Sequence, residues 1–193
     1  MPRKPKTTQP ETPNNVQGRD SFQTPNYAID ILYPFIPKYI DLIWECAAGK
    51  MKISNRLMHY NYSVLSSDIE TINGVYHHNF LTDSDPEISY PYAIITNPPF
   101  SLKYKFIYKA LQYNVPFAFL IPFDMCKKMA NLFSIYECQG LVPDSRINYI
   151  TPTGKSEASG NTSYYHSFWI TRYFELPNQL TFVELTKEMR ENI

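Results

Sequence analysis

The segment YAIITNPPFSLKYKF, residues 92–106, decides how this chain is read. A strand pattern runs into Asn97-Pro98-Pro99-Phe100, and a helical pattern follows. Proline fixes φ and carries no N–H, and it pushes the residue before it toward extended conformations. Two prolines in succession therefore make a stiff corner whose carbonyls remain acceptors. Asn97 adds a side-chain oxygen and Phe100 a flat ring at the same place.

Outward from this corner the chain alternates strand-like and helix-like stretches. Short strands are expected at 41–45 (DLIWE), 62–68 (YSVLSSD), 74–81 (GVYHHNFL) and 92–97. The apolar run at 115–122 (VPFAFLIP) reads as a strand buried on both faces. Further strands are expected at 146–150, 163–172 and 180–185. Helical spacing appears after Pro25 (Ala28, Ile31, Leu32, Phe35), around Ile53, Leu57 and Met58, and over 101–113 with Leu102, Phe106, Ala110 and Tyr113 inward. A last helix after Asp124, read as its cap, would bury Cys126, Met129, Leu132, Phe133 and Tyr136. Strands alternating with helices imply an α/β fold with a largely parallel sheet, whose sites lie at the carboxyl ends of the strands. Three of those ends carry Glu45, Asp68 and Asn97.

The composition bounds the rest. The chain has 193 residues, enough for one domain with a real core. Eighteen basic residues balance eighteen acidic ones, so any nucleic-acid face must come from a local patch. Residues 1–20, rich in Pro, Thr and Asn, read as a disordered tail, leaving 21–193 as a single domain. Cys46, Cys126 and Cys138 show neither disulfide nor zinc spacing, and the adjacent His77 and His78 would face opposite ways on a strand. A metal site is not expected. An intracellular, reduced protein is the plain reading, with no membrane span and no signal pattern.

The turn after 41–45, ECAAGKM, has small residues that let a ligand approach the backbone. It lacks both G-x-x-x-x-G-K-[ST] and G-x-G-x-x-G, so it is no phosphate loop. Asp68 at the next strand end suits ribose hydroxyls, and Glu45 suits a cation.

Over roughly 22–172 the chain resembles the class I S-adenosylmethionine-dependent DNA adenine-N6 methyltransferases. The resemblance rests on FQTP (22–25), ECAAGKM (45–51), SSDI with Asp68, NFL (79–81) and NPPF (97–100). It implies a Rossmann-like three-layer sandwich with a mostly parallel seven-stranded sheet and one antiparallel late strand. It implies S-adenosylmethionine as cofactor, held by Phe22, Thr24, Pro25, Glu45, Cys46, Ala47, Gly49, Asp68, Asn79, Phe80 and Leu81. Two positions depart from the pattern. Met51 stands where a second glycine is usual, which a backbone with negative φ would accommodate, and Asn79 replaces an aspartate at the adenine ring.

The resemblance assigns catalysis to Asn97, Pro98, Pro99 and Phe100. The Asn97 Oδ1 and the Pro98 carbonyl would accept the two hydrogens of an exocyclic amine and turn its lone pair toward the sulfonium methyl. Phe100 would stack on a base flipped out of the duplex. The same motif serves enzymes that methylate adenine in DNA or RNA, cytosine N4, or protein glutamine. FQTP ahead of the cofactor loop and the Phe of NPPF incline the reading to adenine in DNA. A non-catalytic subunit that kept the fold is the alternative from another class. The implied partner is DNA, and because no separate target-recognition domain is visible, a short recognition site, loose specificity, or a second subunit or second copy is expected. DNA contacts are expected from Lys103, Lys105 and Lys109, from Lys127 and Lys128, from Arg146, and from the polar loop 151–161 with Lys155.

Overall fold

The computed structural model describes residues 23–89, 91–150 and 166–191. Eight strands form one sheet: β1 (Leu42–Glu45), β2 (Ser63–Asp68), β3 (Tyr76–His77), β4 (Tyr92–Thr96), β5 (Phe117–Pro122), β6 (Gln139–Pro143), β7 (Ser167–Arg172) and β8 (Leu180–Val183). Their order is β3-β2-β1-β4-β5-β7-β6-β8. All neighbours are parallel except around β7, which runs antiparallel to both β5 and β6. This is the Rossmann-like methyltransferase arrangement expected from sequence, with an eighth strand added beside β6.

The α-helices among the described residues are α1 (Asn26–Asp30), α2 (Lys52–His59), α3 (Lys103–Tyr113), α4 (Lys127–Ser134) and α5 (Lys187–Glu191). Alternate strand residues face opposite layers. Ile43, Ala93, Ile95, Ala118 and Leu120 pack with Ala28 and Leu32 of the α1 segment and with Ile53 and Leu57 of α2. Trp44, Ile94, Phe117, Phe119 and Ile121 pack with Phe106, Ile107 and Ala110 of α3 and with Met129 and Leu132 of α4. All six residues of β5 are buried, as a strand covered on both faces must be. α3 ends at Asn114 in the left-handed region (φ 54°), a conformation Asn tolerates better than most residues.

Buried polar groups tie the layers together. The Trp169 indole donates to the Ala28 carbonyl (2.8 Å), fastening α1 to β7. The Trp44 indole donates to Ser67 Oγ (2.8 Å) between β1 and β2. Arg56 on α2 donates twice to Asp30 of α1 (2.6 and 2.8 Å), and Tyr60 adds a third bond (2.9 Å).

Several local expectations are corrected. Residues 139–143 form β6, where no strand was expected. Residues 146–150 form no strand; only Ile150 pairs, in a bridge to Gln23. The expected strand at 74–81 shrinks to two residues. Met58 is exposed, and Ser54 takes its place on the buried face of α2. Cys126 is exposed at the start of α4, and Asp124 makes no capping bond there. No helix among the described residues is long and apolar enough to cross a membrane. Trp169→Phe removes the donor to a buried carbonyl and should cost about 1–3 kcal/mol in denaturant unfolding, with the fold retained.

Candidate functional site

Parallel pairing brings the carboxyl ends of β1, β2, β4 and β5 to one edge. Glu45, Asp68, Asn97 and the loop 123–126 therefore share that edge, with the 79–83 turn following β3.

At the corner, Asn97 Nδ2 donates to Thr24 Oγ1 (3.1 Å). Asn97 Oδ1 is buried and has no hydrogen-bond partner. A buried acceptor left unpaired costs about 1–3 kcal/mol and calls for a physical reason. Pro98 is buried, and the Pro99 carbonyl is taken by the Leu102 N–H (2.8 Å) as α3 begins. Phe100 is half-buried, its ring set edge-on to Tyr149 with centroids 5.9 Å apart.

The loop after β1 is stitched to β2. The Gly49 N–H donates to Asp68 Oδ2 (2.8 Å), the Glu70 N–H to Asp68 Oδ1 (2.9 Å), and the Ala48 N–H to the Ser67 carbonyl (3.0 Å). Gly49 and Met51 both hold positive φ (49° and 59°). The negative φ that would have accommodated Met51 without strain is not adopted, and its side chain pays about 1–2 kcal/mol for a glycine-like backbone.

Glu45 does not present a charge to the edge. It is 1% exposed, and its Oε2 accepts the Ser54 N–H (2.8 Å) and a short bond from the Ser54 hydroxyl, which also meets Ser66 Oγ (2.6 Å). Burial pushes its pKa up to about 8, against the bonds from Ser54 that lower it. Its work is to hold α2 to the end of β1. Neither Ser54 nor Ser66 stood out in the sequence, because serines in helix and strand patterns carry no signal of their own. Cys46 is buried, and burial raises its thiol well above the usual range.

Phe80 lies in the core against Trp44 and Phe106, with ring centroids 5.2 and 4.9 Å away. Asn79 Oδ1 accepts the Leu81 N–H (3.0 Å), so the side chain first serves its own turn. Ala47 and Leu81 are half-buried, and Pro25 starts α1. Phe22, Tyr164, Tyr165 and the loop 151–161 lie outside the described residues.

The lysines separate. Lys103 pairs with Asp124 (3.1 Å) and is largely covered, while Lys109 pairs with Asp85 (3.1 Å), so neither stands free for phosphate as expected. Lys105, Lys127 and Lys128 are exposed. Asp124 also accepts from the Tyr104 hydroxyl (2.7 Å), which fixes the loop carrying Phe123 and the 87% exposed Met125. The Tyr104 hydroxyl, with the Met129 N–H, holds the exposed Cys126 thiol below its usual range. No group of three or more His, Cys, Asp or Glu residues that could hold a metal occurs among the described residues. A depression of about 370 Å³, lined in part by Leu42, Ser63 and Ile88, sits at the opposite edge of the sheet and contains none of these groups.

No family model and no curated protein matches the chain. Among solved structures, a proposed methyltransferase from Thermoplasma acidophilum aligns at 17% identity over 78% of this chain and 73% of its own, with a TM-score of 0.35. A likeness that loose carries no functional argument, and the fold rests on strand order and direction.

Glu45 titrates higher folded (about 8) than its ordinary 4.5. Between those values the folded state binds the extra proton, so its contribution to stability falls as pH rises from about 4.5 to about 8. Glu45→Gln, which still accepts from Ser54, should flatten that dependence. Unfolding midpoints across this range check it, and an unchanged slope would count against the assignment.

Proposed function

We propose that this protein is an N-methyltransferase that uses S-adenosylmethionine to methylate the N6 amine of adenine in DNA. The observation that carries the reading is the unpaired, buried Asn97 Oδ1 at a proline-stiffened corner ending β4. An acceptor kept without a donor is suited to an incoming N–H. The oxygen is enclosed, so an amine reaches it only by displacing what covers it.

The residues present fit the cofactor in part. The Asp68 oxygens each accept one backbone N–H and each retain a lone pair for a ribose hydroxyl. At the position a Gly49 Cβ would take, only the Gln23 amide comes within 4 Å, at ordinary contact distance. Glu45 holds α2 through Ser54, and Phe80 packs on Trp44 and Phe106. When bound, S-adenosylmethionine supplies an electrophilic methyl group on a sulfonium. The chain's own contribution is to orient the amine. Asn97 Oδ1 and the Pro98 carbonyl each accept one of its hydrogens, which draws the lone pair out of conjugation. Those fixed acceptors also stabilise the positive charge that develops on nitrogen. No strong base is required, because the proton becomes acidic only as the N–C bond forms.

Lys105, Lys127 and Lys128 support a polyanionic substrate, since they are exposed in the first turns of the helices that follow β4 and β5 and form no ion pair among the described residues, on a chain with no net charge. The commitment of Asn79 and Phe80 to turn and core favours one second reading, a non-catalytic subunit with this fold. A titration with S-adenosylmethionine separates the two, as such a subunit would not bind it.

Transfer of labelled methyl to duplex DNA, single-stranded DNA, RNA and protein identifies the acceptor, and label on none of them would overturn the proposal. Asn97→Ala should lower kcat by about a hundredfold or more while leaving cofactor affinity nearly intact. Asp68→Ala should raise the cofactor Kd instead. Replacing Lys127 and Lys128 by Ala should reduce the salt dependence of DNA binding by about two units of log–log slope.

A further inference from the structure

We infer that Thr24 is the positioning residue that holds the Asn97 carboxamide in place with Oδ1 left open; this rests on the amine-methylation reading of the corner. A carboxamide can turn over and exchange its oxygen for its NH2. In one orientation Asn97 offers an acceptor to an incoming amine; in the other it offers N–H against N–H, which repels. Nothing in Asn97 itself chooses between them. Thr24 Oγ1, 3.1 Å from Asn97 Nδ2, accepts from the nitrogen and leaves Oδ1 to face the other way.

A hydroxyl can donate as well as accept, so what Thr24 supplies is a fixed anchor, which in the arrangement seen takes the nitrogen. Thr24 is 5% exposed, so water competes poorly for the bond. Its backbone is fixed on both sides. Gln23 exchanges two hydrogen bonds with Ile150, donating its N–H at 2.8 Å and accepting at 2.9 Å. Pro25, with φ of −71°, begins α1, which the Trp169 indole fastens to the sheet. A residue 73 positions away in sequence thus holds the catalytic amide from outside its own strand. The sequence reading gave Thr24 to the cofactor, and the structure gives its oxygen to Asn97.

The test compares Thr24→Val, which keeps the shape and removes the acceptor, with Thr24→Ser, which keeps the acceptor. Thr24→Val should lower kcat about tenfold with the acceptor KM and the cofactor Kd unchanged, and Thr24→Ser should restore it to within about twofold. A second readout does not need turnover. In protein labelled with ¹⁵N-asparagine, the Asn97 side-chain NH2 signal, assigned by its loss in Asn97→Ala, should exchange slowly with solvent in the parent and in Thr24→Ser, and rapidly in Thr24→Val. Wild-type kcat in Thr24→Val, or an Asn97 NH2 that exchanges rapidly in the parent, would overturn the inference. If the parent transfers methyl to nothing, the functional reading fails, while the exchange measurement still decides whether Thr24 holds the amide. Should Thr24→Val not fold, Thr24→Ser and the parent's exchange rates decide.

Discussion

The structure depends on the parallel pairing of β1 between β2 and β4. Glu45 stands opposite Ser66, and Trp44 opposite Ile94, so three strands finish at nearly the same height. A one-residue slip would exchange every inward and outward side chain, sending Trp44 to the layer built for Ile43. The register is therefore enforced by the two cores, and the alignment of Asp68 and Asn97 follows from it. Chemistry at the edge is a by-product of burial in the middle.

From that edge the groups divide into those that keep accepting capacity in reserve and those that hold the loops still. Asp68 uses part of its accepting capacity to pin the small-residue loop, and Glu45 spends all the capacity shown here on Ser54. The left-handed backbone at Met51 shows how strongly this loop requires its shape, since the shape persists without the glycine that would adopt it freely. Asp124, held by Lys103 and Tyr104 of the helix that follows the proline corner, extends the same rigidity to the neighbouring strand end.

The framework was legible in the sequence wherever one force dominated. The unbroken apolar run of β5 could only be a buried strand, and Asn-Pro-Pro-Phe could only be a corner. Legibility failed where tertiary partners decide. β6 contains Gly140 and ends in Pro143, which weakens any strand pattern, and it pairs because β7 and β8 flank it. Residues 146–150 alternate like a strand, yet they bury Ile147 and Tyr149 without a ladder to join. Asp124 looked like a cap because sequence shows the helix start and not the tyrosine 20 residues away that claims the carboxylate. Phe80 was picked out by the likeness of NFL to a family segment, and the sequence could not show that Trp44 and Phe106 lie against it.

The reversed direction of β7 has a consequence for how such a protein can change over time. β6 leaves the sheet, and β7 enters it, at the edge that carries Asn97. The connection between Pro143 and Ser167 therefore has both of its ends at that edge. Doubling the length of a flexible connection costs only about 0.6 kcal/mol in closure entropy. Insertions there leave the strands beneath in their places, so this edge and the scaffold can change almost independently.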